Sequence, residues 1–349
     1  MKISKCASFC FTAWLLIFSS NVIGQNEPAA PLHLAKAYHQ GQFNALLDGG
    51  VQYWDHGYLI AFGKNGVIET SPSTAAVTLY NKQGQIAREA VVWIEDADLI
   101  TLGDAAVTSS GKLVVSGGVR NRAGAIATFI AEIGDDGHVH RVIRTSPFSA
   151  RLLCALDDGT VWGYGQDRDD HLANIPNSLR LREYSFEKGQ LHAMLDTTAL
   201  DPEGWLLDLG RYPGDINLRC NAKTVALYNG GSGDLIELDL RSRTMKVTKV
   251  APLPPPTEFT ISGFALTESG EIFAGFHDRT QKPQKPAISG LFRLSRDTAG
   301  GAKWVPVEGT VGPYLHGSPI QRLLGADGDD LVYSSLKDGR MFWSKQSPR

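Results

Sequence analysis

A lysine or arginine follows each of six strongly apolar stretches in this 349-residue chain. They are Lys64, Arg120 with Arg122, Arg168, Arg211, Arg279 (preceded by His277 and Asp278) and Lys337. Guanidinium groups recurring in this way can grip a carboxylate, sulfate or phosphate through paired N–H donors. Four carboxylates, Asp55, Asp98, Asp208 and Asp278, lie near the ends of the same stretches, and hard oxygens of this kind suit Ca²⁺ or a similar divalent ion. His56, His277 and His316 fall in turns, where an imidazole could act as acid or base, but none has a recognisable partner in the sequence. The histidines form no HExxH or Cys–His framework, and the run Asp167–Asp170 lacks the spacing of a calcium loop. No GxSxG elbow, P-loop or GxGxxG occurs in its required context. These residues therefore assign no catalytic group and no cofactor. Anion binding is the chemistry they favour.

The elements that position them repeat. A short apolar strand, a turn ending in glycine and a second apolar strand recur at 51–63, 106–118, 155–165, 199–210, 265–276 and 323–336. The turn glycines are Gly57, Gly111, Gly159, Gly204, Gly270 and Gly328, spaced 54, 48, 45, 66 and 58 residues apart. Between these units lie hairpins of alternating apolar and polar residues, at 76–92, 127–143, 181–195, 235–247 and 291–307. Two hairpins in about 50 residues make four strands per repeat, the pattern of a β-propeller blade. The expectation is an all-β, six-bladed propeller of four-stranded blades, with seven blades held in reserve. The last unit has room for three strands, so an N-terminal strand within 32–37 or 43–47 is expected to supply the fourth and close the ring, abolishing open sheet edges. Segment 223–229 is an extra apolar segment, so the fourth blade has either an inserted strand or displaced strand assignments. Trp54, Trp162 and Trp205 sit in or beside inner strands, as packing between blades requires.

Residues 1–24 carry Lys2 and Lys5, an apolar run from Phe9 to Phe18 and a small-residue exit at Gly24. This is the pattern of a cleaved signal peptide, and its apolar run is short for a membrane span of about 20 residues. The expected organisation is a signal peptide at 1–24, an N-terminal segment at 25–44 and the propeller at 45–345, in a secreted or periplasmic monomer with no membrane span. Removing 1–24 takes the formal charge from −3 to −5, which argues against nucleic acid as a partner. Two cysteines then remain, Cys154 and Cys220, either as a disulfide or as two buried thiols.

Over roughly 45–345, these strand–turn–strand units resemble the six-bladed β-propeller superfamily, close to secreted bacterial NHL-like and SMP-30/gluconolactonase-like propellers. The resemblance speaks for the fold. It implies two functions. One is a non-catalytic module that presents its loop face, with the cations named above, to a protein, a glycan or a small anionic ligand. The other is a metal-dependent hydrolase of the lactonase type, with Ca²⁺ or a similar ion held in the central channel.

Overall fold

The computed structural model describes residues 32–34, 39–42, 51–62, 69–71, 74–171, 173–186, 216–251, 259–278, 288–298, 300–308, 310, 312–313, 322–335 and 339–348. Among them there are strands and turns and no helix, so none is long and apolar enough to cross a membrane. The architecture is β-propeller-like, a succession of antiparallel sheets in which consecutive strands pair with one another.

The first sheet is built from Val51–Asp55, Tyr58–Phe62, Thr74–Tyr80 and Ile86–Trp93, with the short Glu69–Ser71 beside the third of these. The second runs Ala97–Val107, Leu113–Asn121, Ile126–Ile133 and Val139–Arg144. Three strands of the next are described, Phe148–Ala155, Thr160–Asp167 and Arg180–Ser185. The fourth comprises Ile216–Cys220, Thr224–Asn229, Asp234–Asp239 and Thr244–Ala251. Phe259–Leu266, Ile272–Asp278, Ile288–Arg296 and Ala302–Pro306 make the fifth, whose last strand meets the last strand of the fourth in a short parallel pairing, Val250 opposite Ala302. The sixth contains Arg322–Asp327, Asp330–Ser335 and Arg340–Ser344, and His39–Gln42 pairs antiparallel with the last of these.

One expectation changes here. The N-terminal strand on the sixth sheet is His39–Gln42, between the two segments expected, while Leu32–Leu34 pairs instead with Gln346–Pro348. For segment 223–229 the pairings agree with displaced assignments and not with an inserted strand: Thr224–Asn229 is the regular second strand of the fourth sheet. Its first turn escaped notice because no glycine marks it; Asn221 Oδ1 accepts from the backbone N–H groups of Lys223 and Thr224, each at 2.9 Å, and makes the turn with its side chain. Segment 199–210 and Gly204 lie outside the described residues. The other five turn glycines, Gly57, Gly111, Gly159, Gly270 and Gly328, all adopt φ between +63° and +91°, the left-handed region a Cβ disfavours.

Strand alternation explains why the first two strands of each sheet are apolar nearly throughout. In Leu113–Asn121, Leu113 and Val115 enter the cluster shared with the first sheet, whereas Val114 enters the cluster shared with the third. Trp162 and Tyr164 likewise face the fourth sheet, and Val161 the second. Six apolar clusters arise among the described residues, each filled by two consecutive sheets, the last by the sixth and the first through Leu324, Trp343, Trp54 and Leu59. Trp54 and Trp343 meet edge to face at 5.0 Å in that last cluster. Each such side chain contributes about 2–3 kcal/mol by burial.

Where first strands of adjacent sheets approach closely, glycine is required. A Cβ on Gly263 would overlap the Leu323 carbonyl, and one on Gly325 would overlap that of Trp54. At the third and fourth sheets the junction is covalent. Cys154 and Cys220 form a disulfide with their Cα atoms 5.9 Å apart, which settles the two readings left open by the sequence.

Candidate functional site

Several polar groups of the first strands converge, Tyr53, Asp104, Arg219 and Arg322 among them. Asp104 interrupts the apolar strand Ala97–Val107 and is buried. Its Oδ1 accepts from the Tyr53 hydroxyl at 2.8 Å, and its Oδ2 from the Leu153 backbone N–H at 2.7 Å, so one carboxylate ties the first, second and third sheets. Burial raises its pKa to about 6, against the opposing pull of the Leu153 N–H, the Tyr53 hydroxyl and the Arg219 charge. Burial, followed by the Asp104 charge, pushes the Tyr53 phenol well above its ordinary range.

Arg219 interrupts Ile216–Cys220 as Asp104 interrupts its own strand. Its guanidinium lies over the Tyr53 ring, 4.8 Å from the centroid, and Nη1 donates to its neighbour's carbonyl, Leu218 O, at 2.8 Å. Arg219 Nε is buried with no acceptor among the described residues. Arg322, which opens the first strand of the sixth sheet, has its guanidinium pKa lowered by burial and then by the Arg219 charge.

Asp55 ends the first strand of the first sheet. Its Oδ1 pairs with His56 Nδ1 at 2.8 Å, and its Oδ2 accepts from the Val107 N–H at 2.7 Å. Burial pulls the His56 pKa down, but the hydrogen bond and charge of Asp55 outweigh it and raise it to about 9. His56 and Gly57 have φ of +40° and +89°, the backbone of a tight two-residue hairpin.

A cleft opens beside these groups, enclosing about 420 Å³ with the space at its mouth included. Its walls come from the first strands and turns of the first, fourth, fifth and sixth sheets: Trp54, Asp55 and His56, then Arg219 and Asn221, Glu268, and Gly328. Asn221 is committed to structure, since Nδ2 donates to Thr267 O at 2.8 Å while Oδ1 holds its own turn. Trp54 Nε1, like Arg219 Nε, is buried without an acceptor among the described residues.

The expected loop-face residues fare differently. Lys64, Arg211, Arg279 and Lys337 lie outside the described residues, and only the backbone of His277 and Asp278 is described. Arg120 is paired with Asp98 at 3.0 Å, and Arg122 is exposed in the following turn. Arg168 is brought beside Arg151, a residue not singled out from the sequence. The Arg168 pKa is lowered by burial and by the Arg151 charge, and Arg151 Nη2 donates to Asn174 in the same loop at 3.1 Å. The repeating cation also breaks down at the fourth sheet, whose second-to-third-strand turn is Gly230–Gly233 and carries no basic residue.

Of the four carboxylates expected near a metal, Asp208 lies outside the described residues, and Asp278 is described by backbone alone. Asp55 and Asp98 cannot share an ion. Asp55 bonds Val107, at the far end of the strand that Asp98 begins, and nine residues of strand span roughly 25–30 Å. Among the described residues no three His, Cys, Asp or Glu side chains gather as a metal site. His56 does have a partner, Asp55, and it sits in a first-to-second-strand turn, the end of the sheet opposite the loops bearing the cations. His140 is exposed on the outer strand Val139–Arg144, and His138 is exposed in the turn before it. A charged residue inside a largely apolar inner strand marks two members of the cluster, Asp104 and Arg219, though not that they meet.

No family model and no curated protein sequence matches the chain. Among solved structures it is similar to a member of the DUF4221 family from Bacteroides vulgatus (TM-score 0.47, 8% identity, 91% of this chain and 99% of that one). It is also similar to U3-55K (0.45, 8%, 90% and 98%) and to a luciferin-regenerating enzyme (0.42, 13%, 88% and 94%). Likenesses at these scores assign neither a family nor an activity. The resemblance to NHL-like and SMP-30/gluconolactonase-like propellers therefore stays at the level of the fold, which rests on the strand pairings themselves.

Proposed function

We propose that this chain is an exported, monomeric six-bladed β-propeller that binds a protein, a glycan or a small anionic ligand without transforming it. Six blades are supported by the six apolar clusters that link each sheet to the next and the sixth to the first. The pairing of His39–Gln42 with Arg340–Ser344 supports ring closure by an N-terminal strand. Export to a secreted or periplasmic site is supported by the Cys154–Cys220 disulfide, which persists in an oxidising compartment.

The observation that carries binding at the loop face is the placement of Arg151 and Arg168 about one loop: the Arg168 backbone bridges to Asn174, whose Oδ1 accepts from Arg151 Nη2 at 3.1 Å. Two guanidinium groups presented on one loop suit an anionic ligand. Reversing the charge of Arg120, Arg168 and Arg211 together should abolish retention on sulfated glycans or anionic resin. Retention equal to that of the unaltered protein would remove this reading. The lactonase alternative is tested separately, by elemental analysis of the purified protein and by lactone hydrolysis before and after chelation. A stoichiometric divalent ion with chelator-sensitive turnover would favour the enzyme.

A further inference from the structure

We propose that the ligand of the loop face is a polyanionic glycan chain, laid across the second and third sheets on Arg122, Arg144 and Arg151. The site is the loop face proposed above, and the inference rests on that reading. Charge pairing is the first support. Elsewhere on the molecule Arg88, Arg141, Arg243, Arg293 and Arg296 each reach an aspartate or glutamate at 2.6–3.2 Å. Arg122, Arg144 and Arg151 are all exposed, and none has a carboxylate partner among the described residues. Arg151 donates only to the neutral side chain of Asn174, at 3.1 Å. An exposed guanidinium with no internal carboxylate keeps its fork of donors for a sulfate or carboxylate arriving from outside.

Second, the fold gathers these three at one end of two adjacent sheets. Arg122 lies in the turn joining Leu113–Asn121 to Ile126–Ile133. Arg144 ends the fourth strand of that sheet opposite Phe129, roughly 10 Å along the third strand from Ile126, where the turn gives way to it. The exposed segment that leaves Arg144 is bonded to both sheets. The Thr128 N–H donates to Ser146 Oγ at 2.8 Å, and the Arg168 N–H, in the loop of the third sheet, donates to Pro147 O at 2.8 Å. The same loop carries Asn174, the acceptor of Arg151.

Third, the arginines are too far apart for one small ion. Ile143 enters the cluster between the second and third sheets, so strand alternation turns Arg144 to the opposite face of its sheet. Arg151 belongs to the third sheet, beyond that cluster. A chain with charges on successive sugars can reach both. Asp169 and Asp170 are the exposed acids of the loop between. Asp169 Oδ1 accepts from the N–H groups of His171 and Ala173, each at 2.8 Å, whereas Asp170 is a like charge the ligand must pass. The large apolar side chain exposed in that loop is Ile175, which offers no ring for a base to stack on and so favours a sugar chain over a nucleic acid.

The test is titration of the full chain with fluorescently labelled heparin fragments and oligogalacturonates of graded length, beside a labelled single-stranded oligonucleotide, at fixed ionic strength. Affinity for at least one glycan series should rise with chain length and fall with added salt. Arg122→Gln, Arg144→Gln and Arg151→Gln should each weaken binding of the longest fragment about 2- to 5-fold, and the three together about 10- to 100-fold. All three side chains are exposed, so thermal unfolding of the variants should match that of the unaltered protein. Asp170→Asn should tighten binding, a change that loss of folding cannot produce. Equal affinity for the shortest and longest fragments, tighter binding of the oligonucleotide than of either glycan, or a folded triple variant that binds as the unaltered protein does would each overturn the proposal. That last result, with binding still lost on reversing Arg120, Arg168 and Arg211, would leave the loop-face reading standing. An unaltered protein that binds none of these anions would remove both.

Discussion

The Tyr53 hydroxyl donates to Asp104 Oδ1 at 2.8 Å across the boundary between the first and second sheets, and Asp104 in turn accepts from Leu153 in the third. A single buried carboxylate thus holds three consecutive inner strands, at the cost of keeping a charge out of water. The cost shows in its pKa of about 6.

That carboxylate makes stability depend on pH in a defined sense. In the folded chain Asp104 holds its proton up to about pH 6, whereas in the unfolded chain it releases it near pH 4. Folding is favoured where the proton is bound, so this contribution falls as pH rises from about 4 through 6. Urea denaturation of the unaltered protein and Asp104→Asn at pH 4 and pH 7 should reveal it. The unaltered protein should lose on the order of 2–3 kcal/mol relative to the variant over that interval. Parallel pH profiles would refute the assignment.

His56 acts with the opposite sign of charge. Its folded pKa of about 9 lies above the unfolded value near 6.5, so the His56–Asp55 pair stabilises fully below pH 6.5, and that contribution disappears as pH climbs through 9. His56→Asn is the suitable variant, because asparagine tolerates the left-handed backbone found there. The stability gap between the two proteins should narrow steadily from pH 6.5 to 9.5. A gap that stays constant would show that the pair carries no differential charge interaction.

The disulfide closes a sequence separation of 66 residues, and chain-entropy reasoning assigns such a loop about 4 kcal/mol at most. Cys154→Ser/Cys220→Ser should therefore be less stable by about 2–4 kcal/mol. Free-thiol titration of the unfolded, unreduced protein should detect neither of these two cysteines; two reactive thiols would contradict the pairing.

Two kinds of glycine separate by mutation. At Gly270, φ is +91° with open space around the absent Cβ, so alanine should cost only backbone strain, about 1 kcal/mol. At Gly325 a Cβ would strike the Trp54 carbonyl of the neighbouring inner strand, which cannot move without shifting a sheet. Gly325→Ala should cost several-fold more than Gly270→Ala in thermal or chemical denaturation, and equal losses would show that the sheets are not packed as closely as described.

The sequence by itself determined the all-β class, the five turn glycines that fall among the described residues, and most of the outer hairpins. These are local properties: alternation of apolar residues dictates a half-buried strand, and a required positive φ dictates glycine, whatever lies elsewhere in the chain. Where a turn is made by a side chain, as at Asn221, the same local signal vanishes, and the strand assignments of the fourth sheet stay open in the sequence for that reason. The inner site was not legible. Tyr53, Asp104, Arg219 and Arg322 are separated by up to 269 residues and share no motif, and each looks like an isolated polar residue beside an apolar strand. Only the packing of sheets around one centre brings them within hydrogen-bonding and Coulombic reach, and only burial there turns an ordinary aspartate into a tether and an ordinary arginine into an unsatisfied donor.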